Sequence, residues 1–204
     1  MANKLGGSGD NGSISEYAAG SNGDPAPIAA ISGSNTEFVY PINAIAVDTH
    51  GKIYAASGSG TGDTVTVYAA NSNGNVSPTT TITGAGTGLS RPVGIAVDTG
   101  GTIYVSNLNT ASVTEYSAGS SGNASPIATI SGPDTGLVGD VAGIAVDSSG
   151  NIYVAISTTG LGNANGVGGL VVFAEGSNGD ATPIQQIAGT LTLLDYPVGI
   201  AVGP

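Results

Sequence analysis

The sequence has no cysteine and no tryptophan, one histidine, and only three cationic side chains, Lys4, Lys52 and Arg91. The lack of cysteine excludes disulfides, thiol catalysis and zinc–thiolate sites. Fourteen carboxylates give a net charge of −11, which disfavours nucleic acid and anionic membrane surfaces as partners because phosphate groups are repelled. No apolar run approaches the roughly 20 residues of a membrane helix, and the N-terminal stretch lacks the basic start and apolar run of a signal peptide. We therefore expect no membrane insertion.

The chain repeats two phrases at intervals close to 50 residues. The first phrase is an apolar alternation interrupted by an acidic turn. It reads NAIAVDTHGKIYAAS, VGIAVDTGGTIYVSN and AGIAVDSSGNIYVAI, and recurs shortened as VGIAVGP, at residues 43–57, 93–107, 142–156 and 198–204. The second phrase, for example SVTEYSAGSSGNASPIATISG, occurs at residues 13–33, 64–84, 112–132 and 170–189. A repeat of this length is typical of stacked or radial repeat folds.

Each repeat predicts four short strands, which we call A to D. Large and small residues alternate at 95–98 and at 103–105, which is the period-two pattern of strands A and B. An Asp followed by a Gly between these strands predicts a tight hairpin turn. The second phrase predicts strand C around Tyr116 and strand D after Pro126, since proline is tolerated at the start of an outermost strand.

The order of the strands predicts an all-β fold, a β-propeller of four-stranded antiparallel blades. Strand A carries Gly and Ala where strands B and C carry Tyr or Phe, as expected of blades that crowd together at a central axis. The phrase P-x-G-I-A-V-D-x-x-G-x-I-Y-V-A also resembles the NHL-type propellers and the related streptogramin-lyase-like and gluconolactonase-like families. It is matched at residues 41–57, 92–107, 141–156 and 197–202. The third strand lacks the arginine usual in NHL repeats, so the resemblance implies the fold rather than a subfamily.

The repeat boundaries assign one propeller domain over residues 1–204, with one blade split between the two ends of the chain. Three whole blades are expected, at residues 41–84, 92–132 and 141–189. Residues 197–204 supply strand A of the split blade and residues 1–33 supply its strands C and D, with residues 1–5 aligned to the end of strand B. Closure within one chain gives a ring, and closure between chains gives a larger ring or a filament. A further alternative is that this chain is a piece of a longer propeller.

Catalytic patterns are scarce. The resemblance implies that a lyase would use histidine and acidic groups near the axis, but His50 lies in a predicted turn and has no counterpart in the other repeats. Lactonase-like relatives hold a divalent cation with Glu, Asn and Asp. Asp48, Asp98 and Asp147 could ring one face as oxygen ligands, but turn chemistry alone explains them. We therefore expect no catalytic residue, no metal site and no cofactor.

The recurring tyrosines are expected to pack between blades rather than to form a sugar-binding shelf, because each lies on an apolar alternation. These residues are Tyr17, Tyr54, Tyr68, Tyr104, Tyr116 and Tyr153. Tyr40 and Tyr196 precede strand A instead, and we expect them to line a binding rim. The open strands of the split blade predict an assembly edge formed by Val198, Ile200, Val202, Ile14 and Tyr17.

These patterns predict a non-catalytic propeller scaffold that assembles with itself, binds a protein or glycan partner across one face, or does both. The competing interpretations are a lyase-like or lactonase-like propeller enzyme, which needs a convergent acid, base or metal cluster, and a repeat fragment with no separate role. The polar residues are mainly Ser, Thr, Gly and Asn with few Lys, a composition common in bacterial surface and secreted proteins. This composition is the only feature of the sequence that favours a secreted or cell-surface location in a bacterium.

Overall fold

The structure is a computed structural model that describes residues 1–3, 12–157 and 168–203. The described residues form fifteen strands and three 3-10 helices of three residues each. None of these helices is long and apolar enough to cross a membrane. The strands are β1 (Ala2–Asn3), β2 (Ser13–Glu16), β3 (Ala29–Ser32), β4 (Ile42–Val47), β5 (Ile53–Ser57), β6 (Thr64–Tyr68), β7 (Thr80–Thr83), β8 (Pro92–Val97), β9 (Ile103–Asn107), β10 (Ser112–Tyr116), β11 (Ala128–Ile130), β12 (Val141–Val146), β13 (Ile152–Ile156), β14 (Gly169–Phe173) and β15 (Gln185–Ala188). The 3-10 helices are Ser34–Thr36, Pro133–Thr135 and Thr190–Thr192.

The strands form antiparallel sheets in which chain neighbours pair with one another. Strands β4–β7, β8–β11 and β12–β15 form three four-stranded sheets, which we call blades 2, 3 and 4, and each runs from strand A to strand D in chain order. Strands β1–β3 form a three-stranded sheet, blade 1, with Ala2 opposite Ile14. The predicted fold class, an all-β propeller of repeated four-stranded blades, is confirmed.

The apolar core is divided into three clusters, and each cluster joins two successive blades. In each cluster, one residue of strand C and one of strand D pack with the strand C aromatic residue of the next blade. These sets are Ile14, Ile31 and Tyr68; Val65, Ile82 and Tyr116; and Val113, Ile130 and Phe173. Because a blade is apolar on both faces, it buries its apolar surface fully only when a blade lies on each side.

The recurring tyrosines fill these clusters. Tyr68 and Tyr116 are fully buried, and their hydroxyl groups donate hydrogen bonds to the backbone carbonyl oxygens of Thr36 and Thr87 in the preceding D-to-A connection. Tyr54 and Tyr104 are also buried, and Tyr153 is half-buried. Interblade packing is confirmed for Tyr54, Tyr68, Tyr104 and Tyr116, which belong to the three clusters, whereas Tyr153 is not among the described members of any cluster. Tyr17 departs from the prediction, because its side chain is 39% exposed.

Small residues allow the A strands to approach closely, as their sequence predicts. Strand β4 packs against β8, and β8 packs against β12. A Cβ atom added to Gly94 would lie 2.7 Å from the carbonyl oxygen of Ala142, and one added to Gly143 would lie 2.8 Å from the Cα atom of Gly199. A larger side chain at Gly94 or Gly143 would push adjacent strands apart.

Residues 197–203 lie beside β12, where the backbone N–H of Gly143 donates to the carbonyl oxygen of Val198 at 3.1 Å. The described part of the chain shows no β-pairing between these residues and β1. Within the described residues, the two segments predicted to complete one blade are therefore not paired with each other. Lys4, Leu5 and Pro204, which the sequence places in the same blade, lie outside the described residues.

The buried tyrosine hydroxyl groups give a test of interblade packing. Replacing Tyr116 by Phe removes the 2.6 Å bond to Thr87 and leaves a buried carbonyl oxygen without that donor. We expect a loss of about 1 to 2 kcal/mol in the free energy of unfolding, measured by urea titration. Tyr40→Phe, at an exposed position, is the matched control and is expected to change stability little. Equal effects of the two variants would contradict this account.

Candidate functional site

The recurring aspartates act as turn residues, as predicted. The Oδ1 atom of Asp48 accepts hydrogen bonds from the backbone N–H groups of His50 and Lys52 at 2.8 and 2.9 Å. Asp147 Oδ1 accepts from Ser149 and Asn151 at the same two distances. His50 is exposed within its turn. Across the described residues, no group of three or more histidine, aspartate and glutamate side chains is placed to hold a metal ion.

The second carboxylate oxygen of each turn has a partner that the sequence analysis missed. The hydroxyl groups of three strand B tyrosines donate to the Oδ2 atoms of the aspartates six residues earlier. These pairs are Tyr54 with Asp48 at 3.2 Å, Tyr104 with Asp98 at 3.3 Å, and Tyr153 with Asp147 at 3.0 Å. The constant spacing of Asp and Tyr was the available signal. These carboxylates are committed to local bonds, and the bond from the Asn151 amide lowers the pKa of Asp147.

Glu115 is the one buried carboxyl group with a large electrostatic perturbation in the described structure. It lies on β10 opposite Tyr104, its side chain is 6% exposed, and its Oε1 atom has no hydrogen-bond partner. Burial, with a contribution from the charge of Asp98, raises the pKa of Glu115 to about 7. The Asp98 carboxylate that contributes to this shift is itself bonded to the backbone N–H of Thr102 and to the Tyr104 hydroxyl.

The predicted binding rim, Tyr40 and Tyr196, consists of two exposed residues that no described contact brings together. One cavity is lined by equivalent residues of successive A strands and of the segment 197–203, but not by these tyrosines. Its lining includes Asn43, Val93, Ala142 and Val198. The side-chain amide of Asn43 already donates to the carbonyl oxygens of Gly58 and Pro92 at 2.8 Å. The binding role of the rim stays a prediction.

The predicted assembly edge requires one correction. Ile14 is not at an open edge, because β1 pairs with β2 and Ile14 is buried between blades 1 and 2. The outer strand of blade 1 is β1. Val198 is 77% exposed, Val202 is exposed and Ile200 is half-buried, so the C-terminal part of the predicted edge is accessible.

Blade 4 has an apolar face that none of the described blades covers. Ile187 is 38% exposed, whereas its equivalents Ile31, Ile82 and Ile130 are at most 1% exposed. A cavity of about 400 Å³ lies on this face, and its lining includes Leu170, Ile187, Leu194 and Ile200. We call these four residues the blade 4 end face. The sequence analysis missed Ile187, although the recurring Ile two residues before Gly33, Gly84, Gly132 and Gly189 marks the position.

Blade 1 has the opposite uncovered face. Tyr17 occupies the position of Tyr68, Tyr116 and Phe173, each of which is fully buried against the preceding blade. The loop that follows Tyr17 is exposed at Asn22, Gly23 and Asp24. We call Tyr17 and these three loop residues the blade 1 end face.

A cavity of about 500 Å³ lies between blades 1 and 2, where a strand A of blade 1 would pack. Its lining includes Met1, Ile14, Ile45 and Val47, and we call it the A-strand slot. Val47 is exposed, whereas the equivalent Val97 and Val146 are half-buried because a preceding A strand lies beside them.

Gly199 shows that the described blades do not close on one another. A Cβ atom added at the equivalent Gly94 or Gly143 would meet the next A strand within 3 Å, but one added at Gly199 would have no heavy atom within 4 Å. The free side of the segment 197–202 and the A-strand slot are therefore both open. The described residues thus present two unfilled surfaces at the ends of one row of blades.

Comparison with protein-family models and with curated proteins finds no match to this chain.

The raised pKa of Glu115 predicts a pH dependence of stability. The pKa is about 7 in the folded chain, against an ordinary value of 4.5 for glutamate, so the native state holds a proton that the unfolded chain releases between these values. This contribution to the free energy of unfolding is complete below pH 4.5. We expect it to fall by roughly 1.4 kcal/mol per pH unit up to pH 7 and then to level off.

Glu115→Gln should remove this slope, measured by urea unfolding at pH 5, 6, 7 and 8. Glu16→Gln is the matched control, since Glu16 occupies the equivalent position of β2 and is exposed. The assignment would be wrong if Glu115→Gln kept the wild-type slope, or if Glu16→Gln removed it.

Proposed function

We propose that this chain is a non-catalytic β-propeller scaffold that associates with copies of itself, end face to end face. The observation that carries the proposal is Ile187, which is 38% exposed at a position that is buried in every other blade. An exposed face built like an interblade core marks a site of association. Covering it with a blade of a second copy would bury the same kind of surface that the chain buries three times internally.

The two end faces match each other because they are the two halves of a contact made within the chain. In each internal contact, the strand D isoleucine of one blade meets the strand C aromatic residue of the next. Tyr17 is such an aromatic residue without a preceding blade, and Ile187 is such an isoleucine without a following blade. Blade 1 of a second copy therefore fits against blade 4 of the first.

Docking blade 1 of a second copy against blade 4 of the first also fills the A-strand slot of the second copy. The segment 197–202 follows blade 4 as the next strand A would, and its sequence PVGIAV repeats that of β8. With blade 1 of a second copy beside blade 4, this segment lies between β1 and β4 of that copy. One docking mode thus completes blade 1 and fills the cavity of about 500 Å³. The contact is head to tail, so it forms a closed ring or a filament according to the rotation between copies.

The competing enzyme function lacks support from the described side chains. The carboxylates of the A-to-B turns are bonded locally, and His50 is exposed among turn residues. The repeated phrase supports the further proposal that the scaffold is an NHL-type propeller. A protein or glycan partner at the rim near Tyr40 and Tyr196, and a location at the bacterial surface, remain parts of the same proposal.

The mass in solution tests self-association. We expect light scattering behind size exclusion to give a mass above 19.5 kDa that rises with protein concentration. Each copy carries a net charge of −11, so the mass should also rise as salt is added and the repulsion between copies is screened. Ile187→Glu should return the mass to one chain, because it would bury an unpaired carboxylate at the contact.

Ile184→Glu is the matched control, because it adds the same charge to blade 4 at an exposed residue outside the end face. It should assemble like the wild type. A mass of one chain at every concentration and salt, or assembly unaffected by Ile187→Glu, would contradict the proposal.

A further inference from the structure

We infer that the loop residues Asn22, Gly23 and Asp24 of blade 1 form a latch that binds the backbone of β15 and of the 3-10 helix Thr190–Thr192 in a second copy of this chain. The inference rests on the proposed self-association and names the polar contacts that fix its register. It is argued from the equivalent loops of blades 2, 3 and 4, each of which clasps the blade before it.

The internal latches share a backbone contact. A glycine of the C-to-D loop forms a parallel β-bridge with the strand D isoleucine of the preceding blade, at Ile31 with Gly74, Ile82 with Gly122, and Ile130 with Gly179. In blade 4, the N–H of Gly179 donates to the carbonyl oxygen of Thr129 at 2.8 Å, and its own carbonyl oxygen accepts from the N–H of Ser131 at 2.9 Å. Backbone contacts of this kind depend on loop conformation rather than on side-chain identity.

Side chains flank these backbone bridges, one in all three contacts and a second in the contacts made by blades 2 and 4. The Oδ1 atom of Asn178 accepts from the backbone N–H of Thr129 at 2.9 Å, and Asn73 makes the equivalent bond to Ala30. One residue after the glycine, Asp180 Oδ1 accepts from the backbone N–H of Asp134 in a 3-10 helix at 2.8 Å. The equivalent residues Asn75 and Asn123 accept at 2.7 and 2.6 Å from the backbone N–H groups of Asn35, in a 3-10 helix, and of Gly86, in a turn.

The blade 1 loop has the sequence and the conformation of a working latch. Residues 20–24 read GSNGD, as do residues 176–180 of blade 4. Gly23 has φ +76° and Gly179 has φ +67°, and in both loops the glycine N–H is bonded to the preceding Asn Oδ1 atom, at 2.8 and 2.9 Å. In blade 4 this loop clasps blade 3, whereas Asn22, Gly23 and Asp24 are exposed.

The surface that receives the latch is also formed before binding. Gly189 has φ +121°, close to the +119° of Gly33, and the Thr192 hydroxyl bonds to the carbonyl oxygen of Gly189 as the Thr36 hydroxyl bonds to that of Gly33. A Cβ atom added at Gly33 would lie 2.6 Å from Asn75, but one added at Gly189 would have no atom within 4 Å. No described residue occupies at Gly189 the space that a latch residue fills in the other blades.

The contacts of the blade 1 latch with the second copy follow from the equivalent contacts inside the chain. Gly23 exchanges backbone hydrogen bonds with Gln186 and Ala188, Asn22 Oδ1 accepts from the N–H of Gln186, and the Asp24 carboxylate accepts from the N–H of Leu191. The Tyr17 hydroxyl donates to the carbonyl oxygen of Thr192, as Tyr116 does to Thr87. The preformed loop and receiving surface lose little conformational entropy on binding.

The cysteine-free chain allows a direct test by disulfide cross-linking. A chain carrying Asn22→Cys is mixed with one carrying Gln186→Cys, and the mixture is oxidised. We expect a covalent dimer of two 19.5 kDa chains in the mixture, and much less in either variant alone. The double variant Asn178→Cys, Thr129→Cys is the matched control, because it places the same pair of positions across an internal latch and should form its disulfide within one chain.

The outcomes separate the latch from self-association. Oligomers by light scattering without the mixed cross-link, while the internal control forms its disulfide, would overturn the latch and leave self-association standing. A mass of one chain would overturn both. A cross-link within one chain of the Asn22→Cys, Gln186→Cys double variant would overturn the assignment to a second copy, because it would show that a single chain closes its own ring.

A second variant tests the latch without disulfide chemistry. Asp24→Ala removes the carboxylate assigned to Leu191 and should weaken association about tenfold, measured as the dissociation constant from the concentration dependence of mass. Asp134→Ala removes the same charge at an exposed residue of an internal connection and should leave the constant unchanged or slightly lower it. Equal effects of the two variants would overturn the assignment of Asp24.

Discussion

Every blade of this protein has two apolar faces, and each face needs another blade against it. This requirement explains why the core is divided into three interblade clusters and why strands such as β6, β9 and β10 are buried at every residue. It also explains the two exceptions, Tyr17 and Ile187, which are exposed because blades 1 and 4 each have one neighbour in the structure. In the proposed self-association, these two exposed faces cover each other.

Polar contacts give the apolar contact its register. A blade could slide over its neighbour if only aliphatic side chains met, but the C-to-D loops of blades 2, 3 and 4 are each bonded through a glycine to one defined position of the preceding strand D. The tyrosine hydroxyl groups fix the other end of the contact, at Thr36 and Thr87. The cost of leaving these buried groups unpaired makes one alignment favourable over others.

The repeated phrases predict the strands, the hairpin turns and the close approach of the A strands, because period-two alternation, Asp-to-Gly turns and small residues act locally. They did not identify Ile187 or the latch at Asn22, Gly23 and Asp24. An apolar residue on a strand has the same sequence signal whether or not a neighbour covers it, so exposure depends on which blade lies beside it. Glu115 was missed for a similar reason, since only the packing of β10 shows that this carboxyl group is buried while Glu16 is exposed.

The latches between blades also determine how the fold comes apart. Blades 2 and 3 each contribute to two interblade clusters, whereas blades 1 and 4 contribute to one. In such a nearest-neighbour array, local opening starts at the ends and moves inward, because an end blade is held by half as many interfaces. Amide hydrogens of β2 and β15 therefore exchange with solvent sooner than those of β6 and β10. When the chain is joined to another copy, this difference in exchange rate is lost at the joined ends.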